Sequence, residues 1–313
     1  MDKNVISMSA QLEYFKEYKA RLASSIGQEG ADNLTTNAVY FVNCAVNDFL
    51  ISFYGPGHTL FSAGTTIGQY EDFVSQLLLE FIQHITGGAR RWRKSPIKGG
   101  AWRWRDCFAK PEGEVAQIED WSIGSESSRR DDLGGTRIVV GGGRRRPHAP
   151  VNSGACEGLV RLGARRIAVF GVPLFGCWPV VITLYSSNPI NALVTRACND
   201  TLNTVGNDYN MKVQAALRTL RNSSANIELK LAYFDMYTPM LNIRRNPAAF
   251  GINVTNKGCC GTGLLEFGPI CNSLSAVCAN RSECEFFDSA HPTETTASII
   301  VDANVAAINS ITS

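Results

Sequence analysis

Two short apolar runs, residues 38–44 (Ala-Val-Tyr-Phe-Val-Asn-Cys) and 166–171 (Arg-Ile-Ala-Val-Phe-Gly), constrain the fold more than any other feature. Each stands beside long segments of helical period. An unbroken apolar run of this length fits a strand buried on both faces. Helical spacing is carried by Leu12, Phe15, Tyr18 and Leu22 over residues 7–24, and by Tyr70, Phe73, Val74, Leu77, Leu78, Phe81 and Ile82 over 69–86. A long helix is expected over 195–221, a strand near 227–235, and a closing helix over 293–309. Strands alternating with helices predict an α/β fold with a mainly parallel sheet covered on both faces. In such folds sites lie beyond the C-terminal ends of strands, which is where Asn47 and Asp48 fall.

No apolar run reaches the roughly 18–20 residues that cross a bilayer, so no transmembrane segment is expected. No signal peptide is visible either, since Met1-Asp2-Lys3-Asn4 leads into an amphipathic segment. The cysteines point the other way. Cys259, Cys260, Cys271, Cys278 and Cys284 crowd together, and Cys177 and Cys198 flank one segment. That density suits disulfides in an oxidising compartment, with Cys177–Cys198 the expected pair and the later pairing open. A zinc site is the rival reading, but the spacings are irregular and no histidine lies among these cysteines. Five Asn-x-Ser/Thr sequons, at Asn33, Asn199, Asn222, Asn253 and Asn280, fit a secreted glycoprotein.

Residues 87–158 break the rhythm. About a quarter of the chain holds nearly half of its 30 Lys and Arg and four of its five Trp: Trp92, Trp102, Trp104 and Trp121. Neither strand nor helix period is sustained, so the segment reads as a disordered insertion. A basic stretch interleaved with aromatics can bind nucleic acid, but acidic residues such as Glu112, Glu114, Asp131 and Asp132 dilute its charge, and no nucleic-acid partner is expected. The domain expected around it is discontinuous, 1–86 with 159–313.

Asp288-Ser289-Ala290-His291-Pro292-Thr293-Glu294 carries the chemistry. A carboxylate that accepts from one ring nitrogen fixes a histidine tautomer and leaves the other nitrogen free to take a proton. The same stretch reads as a helix start, with Pro292, Thr293 and Glu294 suited to a first turn. His58 and His84 have no acidic neighbour in sequence and read as surface or helix residues; His148 lies in the insertion. Asp48 and Asp235 read as turn or cap residues.

Taken in order, these blocks resemble the plant GDSL esterase/lipase family of the SGNH hydrolase superfamily. Asn47-Asp48 looks like its Gly-x-Asn-Asp block. Residues 163–173, followed by Gly176-Cys177, look like its central strand and turn. Asn256-Lys257-Gly258-Cys259-Cys260-Gly261-Thr262-Gly263 looks like its cysteine–glycine segment, and Asp288–Glu294 like its final block. The resemblance implies a flavodoxin-like three-layer α/β/α fold and hydrolysis of a small-molecule or lipid ester through an acyl-enzyme, with no cofactor or metal and with secretion. It implies His291 as general base, Asp288 as its orienter and Asn47 as an oxyanion donor. It leaves oligomeric state open.

Departures accompany the matches. No Gly-Asp-Ser-Leu block is present, so no nucleophile is identified; the chain is expected to begin downstream of that block, to lack the first strand of the sheet, and to be impaired or a non-catalytic binding remnant of the fold. Ala45 stands near the place of the family's glycine, where a positive φ would strain the turn. Residues 87–158 have no counterpart in the family pattern and read as retained non-coding sequence.

Overall fold

The computed structural model describes residues 6–55, 64–86, 162–223 and 228–313, together with the backbone of 91–96 and 102–107. Contacts divide the chain into two compact units, Met1–Gly88 with Arg161–Ser313, and Ala89–Val160. In the second unit, β2 (Arg91–Pro96) and β3 (Trp102–Cys107) pair antiparallel, Arg91 opposite Cys107 and Pro96 opposite Trp102. Regular pairing thus occurs there where no period was legible. The rest of 87–158, His148 included, lies outside the described residues, as does His58.

The first unit is built on a parallel sheet ordered β1-β4-β5, formed by Val39–Val42, Arg166–Phe170 and Lys230–Phe234. Tyr40 pairs with Ile167, and Ile167 with Leu231. The central strand β4 is buried through Ile167, Ala168 and Val169, as its unbroken apolar run predicts. Successive side chains on a strand point to opposite faces. Ile167, Val169 and Leu231 therefore join one core, with Tyr70, Val74, Leu78 and Ile82 of α2 (Ile67–Thr86) and Leu202, Val205, Tyr209 and Val213 of α4 (Asp200–Ser223). Ala168 and Ala232 face the other way and admit Ile311 of α7 (Val305–Thr312). Small residues on that face let α7 dock closely. The result is an α/β fold with a parallel sheet between helical layers, as expected.

Several boundaries differ from the sequence reading for local reasons. Helix α1 (Met8–Asn37) is capped by Ser7 and kinks at Gly27, whose φ of 78° and ψ of 162° are not helical. Tyr18 faces solvent while Lys19 is buried, its Nζ 2.8 Å from Asp32 Oδ1 and donating to Leu162 O at 3.2 Å. The helix expected from 195 starts at Asp200, because Arg196 adopts φ 52° and Cys198 is tied to Cys177. The closing helix is two, α6 (Glu294–Ala303) and α7, interrupted at Asn304, whose Nδ2 donates to Asp235 O and Ile300 O, each at 2.8 Å. Pro292 is not in the first turn: Thr293 is the cap, and Pro292 bridges back to Phe286.

Four further elements of this unit were not read from sequence. Helices α3 (Pro179–Leu184) and α5 (Tyr237–Arg245) follow β4 and β5, and a small parallel pair joins β6 (Val254–Gly258) to β7 (Cys284–Phe286). Asp235 caps α5 by accepting from the Tyr237 and Thr238 amides at 2.9 and 3.0 Å.

Candidate active site

The 288–291 loop is held from both sides before any chemistry is considered. Upstream, β7 aligns with Gly258, and the Cys259 and Cys260 amides donate to Phe286 O and Phe287 O at 3.1 and 2.8 Å. Downstream, the Phe287 amide donates to His291 O at 2.8 Å, and the Thr293 amide donates to Glu285 O at 3.0 Å. Thr293 Oγ1 donates to Cys284 O at 2.7 Å and also caps α6. The loop is thus a narrow excursion between two clamped ends. Gly258 packs against its floor: a Cβ there would lie 2.4 Å from the carbonyl carbon of Asp288. Only glycine permits that approach.

Inside the loop, Asp288 is 5% exposed and fully engaged. Its Oδ1 accepts from the Ala290 and His291 amides at 2.8 and 2.7 Å, and its Oδ2 lies 2.7 Å from His291 Nδ1. The carboxylate is therefore fixed by the backbone of the loop it orients. The His291 side chain is 65% exposed. With Nδ1 engaged by Asp288, Nε2 is the ring nitrogen left without that contact.

Asn47 sits two residues beyond the positive-φ turn that follows β1. Ala45 has φ 91° and is buried, and the Phe49 amide donates to its carbonyl at 3.0 Å. This is the left-handed conformation expected to strain an alanine in the place of a glycine. Asn47 is exposed at the start of the Asp48–Phe53 turn and makes no side-chain cap bond. Burial pushes the Asp48 carboxyl up, against hydrogen bonds from the backbone of Asp48 and Ala45.

No hydrogen bond among the described residues joins Asn47 to Asp288 or His291, but one short segment touches both neighbourhoods. The Val180 amide of α3 donates to Ser289 O at 2.9 Å. Just after α3, Tyr185 Oη donates to Leu50 O at 2.5 Å, and Phe175 stacks on Phe49 with ring centres 6.2 Å apart. Arg196 braces this segment, donating to Pro179 O, Thr183 Oγ1 and Asn256 O at 2.8, 3.0 and 2.8 Å. His84 is a helix residue, its Nδ1 2.6 Å from Glu80 O.

Sequence reasoning missed the groups beneath the loop. Glu285 is fully buried beside Arg244 of α5, whose Nε is 3.0 Å from Glu285 Oε2. The atoms are in charge contact without hydrogen-bond alignment, so Glu285 lacks a hydrogen-bond partner among the described residues. Burial pushes the Glu285 carboxyl up to about 7, with Arg244 opposing. The signal was present, a carboxylate within the run Cys284-Glu285-Phe286-Phe287. Glu266 is the opposite case. Burial raises it, but hydrogen bonds from Thr262 and from the backbone of Glu266 and Leu265 outweigh this and hold it at about 2, fixing the turn whose carbonyl accepts from the Ser289 amide at 2.6 Å.

Six of the cysteines form disulfides, while Cys44 and Cys284 are free thiols. Cys177 pairs with Cys198 as expected, Cys259 with Cys278, and Cys260 with Cys271. A cleft of about 430 Å³ between α5 and α6, lined by Asp235, Thr238, Asn242 and Asp302, includes neither Asp288 nor His291. No helix among the described residues is long and apolar enough to cross a membrane.

The fold combines a parallel α/β sheet with a loop after β7 on which a buried carboxylate contacts an exposed imidazole. Comparison with known proteins adds a family likeness. Residues 152–304 match the family described as GDSL-like Lipase/Acylhydrolase. GDSL esterase/lipase At5g45960 of Arabidopsis thaliana is 30% identical over 293 residues, 94% of this chain and 57% of its own length. GDSL esterase/lipase At2g40250 of the same plant is 26% identical over 295 residues, covering 94% and 60%. By these matches the chain is similar to the GDSL esterase/lipase family. It spans 57–60% of the length of these two relatives.

Proposed function

We propose that the chain carries the base half of a carboxylic-ester hydrolase that works through an acyl-enzyme. One observation carries this reading: the 2.7 Å contact between a buried, backbone-fixed Asp288 and Nδ1 of an exposed His291. In the reaction, His291 Nε2 takes the proton of a serine hydroxyl as that oxygen attacks the ester carbonyl. It then returns the proton to the leaving alcohol. Water repeats the sequence to release the acid. Asp288 stabilises the imidazolium formed in each half. Asn47 is the candidate side-chain donor to the oxyanion, and its exposure beyond the end of β1 supports that role.

The 313 residues contain no Gly-Asp-Ser-Leu block. Taken alone they therefore hold base, orienter and an amide donor without an identified nucleophile, and we read them as impaired in ester turnover. Loss of one oxyanion donor costs about 10²–10³ in rate, and loss of the nucleophile leaves residual catalysis only. Substrates are small-molecule or lipid esters. Three disulfides support an oxidising, extracellular setting.

The test has two arms. A fluorophosphonate probe should leave the chain without stoichiometric labelling at any serine. Fusing a Gly-Asp-Ser-Leu segment to its N-terminus and deleting 87–158 should produce cleavage of p-nitrophenyl butyrate that His291→Ala abolishes. Stoichiometric labelling of one serine in the unfused chain refutes the impairment. An unchanged rate in the fused His291→Ala variant refutes the base. Saturable binding of an acyl ester by the fused protein without turnover would favour a binding role for the same fold.

A further inference from the structure

Three sulfur atoms cluster under the cysteine-rich loop. Cys259 is bonded to Cys278, and the unpaired Cys284 thiol lies 3.6 Å from Cys278 Sγ. The three Sγ atoms lie within 4.8 Å of one another. Cys259 and Cys284 are each 4% exposed, so thiols in solution reach them poorly. The sulfur most accessible to Cys284 is therefore that of Cys278. A 3-10 turn, Arg281–Glu283, returns the chain to bring the thiol there, with Asn280 as its cap.

We propose that these residues form an internal thiol–disulfide exchange site, in which Cys278 is shared and the bridge alternates between Cys259–Cys278 and Cys278–Cys284. The step is balanced within the protein. Cys284 gives up its proton and its thiolate attacks Cys278 Sγ. The Cys278–Cys284 bond forms as the Cys259–Cys278 bond breaks, and Cys259 leaves as a thiolate that takes up a proton. One disulfide and one thiol exist before and after, so no oxidant or reductant is consumed. Burial, and then Glu283, push the Cys284 thiol up, which keeps it protonated and the exchange slow.

The two exchanging partners flank the strand that leads to Asp288. The Cys259 amide donates to Phe286 O, and Cys284 O accepts from Thr293 Oγ1. An alternation of the bridge would act on both clamps of the 288–291 loop. The exchange itself is independent of whether the chain hydrolyses esters.

Disulfide mapping tests it on the full chain. Protein purified without reductant is held at neutral pH, quenched in acid, alkylated in denaturant and digested for mass spectrometry. Cys278 should always be found bridged, with the alkyl label divided between Cys284 and Cys259. In Cys284→Ser the label should be absent from Cys259, because no other thiol among the described residues lies beside the bridge. Label confined to Cys284 after prolonged incubation of the parent chain overturns the proposal. So does label persisting on Cys259 in Cys284→Ser, because that thiol would then arise by reduction from outside.

Discussion

Replacing Glu285 with glutamine should make the protein more stable than the parent at pH 8 and leave it nearly unchanged at pH 5. Glu285 is fully buried and its carboxyl is pushed up to about 7 from an ordinary 4.5, by burial first, with Arg244 opposing. A carboxyl raised in the folded state contributes its full stability below 4.5, and that contribution is lost as pH rises through about 7. At about 1.4 kcal/mol per pH unit of displacement, ionisation in place costs on the order of 3 kcal/mol by pH 8. Glutamine is neutral throughout and resembles the protonated acid in shape. Arg244 faces a neutral partner in the variant at both pH values and in the parent at pH 5, so its own desolvation largely cancels there. Urea unfolding with disulfides intact, at pH 5 and pH 8, should therefore show the difference between variant and parent growing by roughly 2–3 kcal/mol in favour of the Glu285→Gln variant. A difference that is the same at both pH values, or that moves towards the parent at pH 8, would show that Glu285 is ionised at low pH and that the buried pair is favourable.

The other predictions concern the scaffold around the pair. Gly258→Ala places a Cβ 2.4 Å from the Asp288 carbonyl carbon, so the loop must shift; thermal unfolding should show a loss of at least about 2 kcal/mol, accompanied by changed His291 ring resonances. Ala45→Val puts a β-branched residue at φ 91° and should cost about 2 kcal/mol. Ala45→Gly should change stability by less than about 1 kcal/mol, because relief of the left-handed strain is offset by the lost methyl and a freer unfolded chain. Removing the Cys177–Cys198 bridge by a double alanine substitution frees a closure of 21 residues and should cost about 3 kcal/mol in denaturant titration.

The sheet and its principal helices were legible because burial leaves a periodic trace. Ile167-Ala168-Val169 reads as a two-faced strand, and Tyr70, Val74, Leu78 and Ile82 read as the inner stripe of α2. Boundaries set by distant partners left no such trace. Asn304 ends α6 because its side chain bonds to Asp235, 69 residues away, and Lys19 is buried because Asp32 and Leu162 receive its ammonium. Strand β6, Val-Thr-Asn-Lys-Gly, is too polar to read as a strand and is held by its register with β7.

At the site, the three-residue spacing of Asp288 and His291 suggested an orienter and a base, and the structure places the two side chains in contact. The supporting shell was not legible. Gly258 and the Thr293 hydroxyl act on backbone atoms of residues distant in sequence, and Glu285 meets Arg244 from a helix far earlier in the chain. Pairwise spacing in one segment cannot reveal such contacts.

The most direct test of His291 as an oriented base is its ring tautomer, read by long-range ¹H–¹⁵N correlation on the neutral imidazole. The proton is expected on Nδ1, with a bare Nε2, and a shift towards the other tautomer is expected in Asp288→Asn. A proton resident on Nε2 in the parent chain, or a tautomer indifferent to Asp288→Asn, would contradict the assignment of His291 as a base oriented by Asp288.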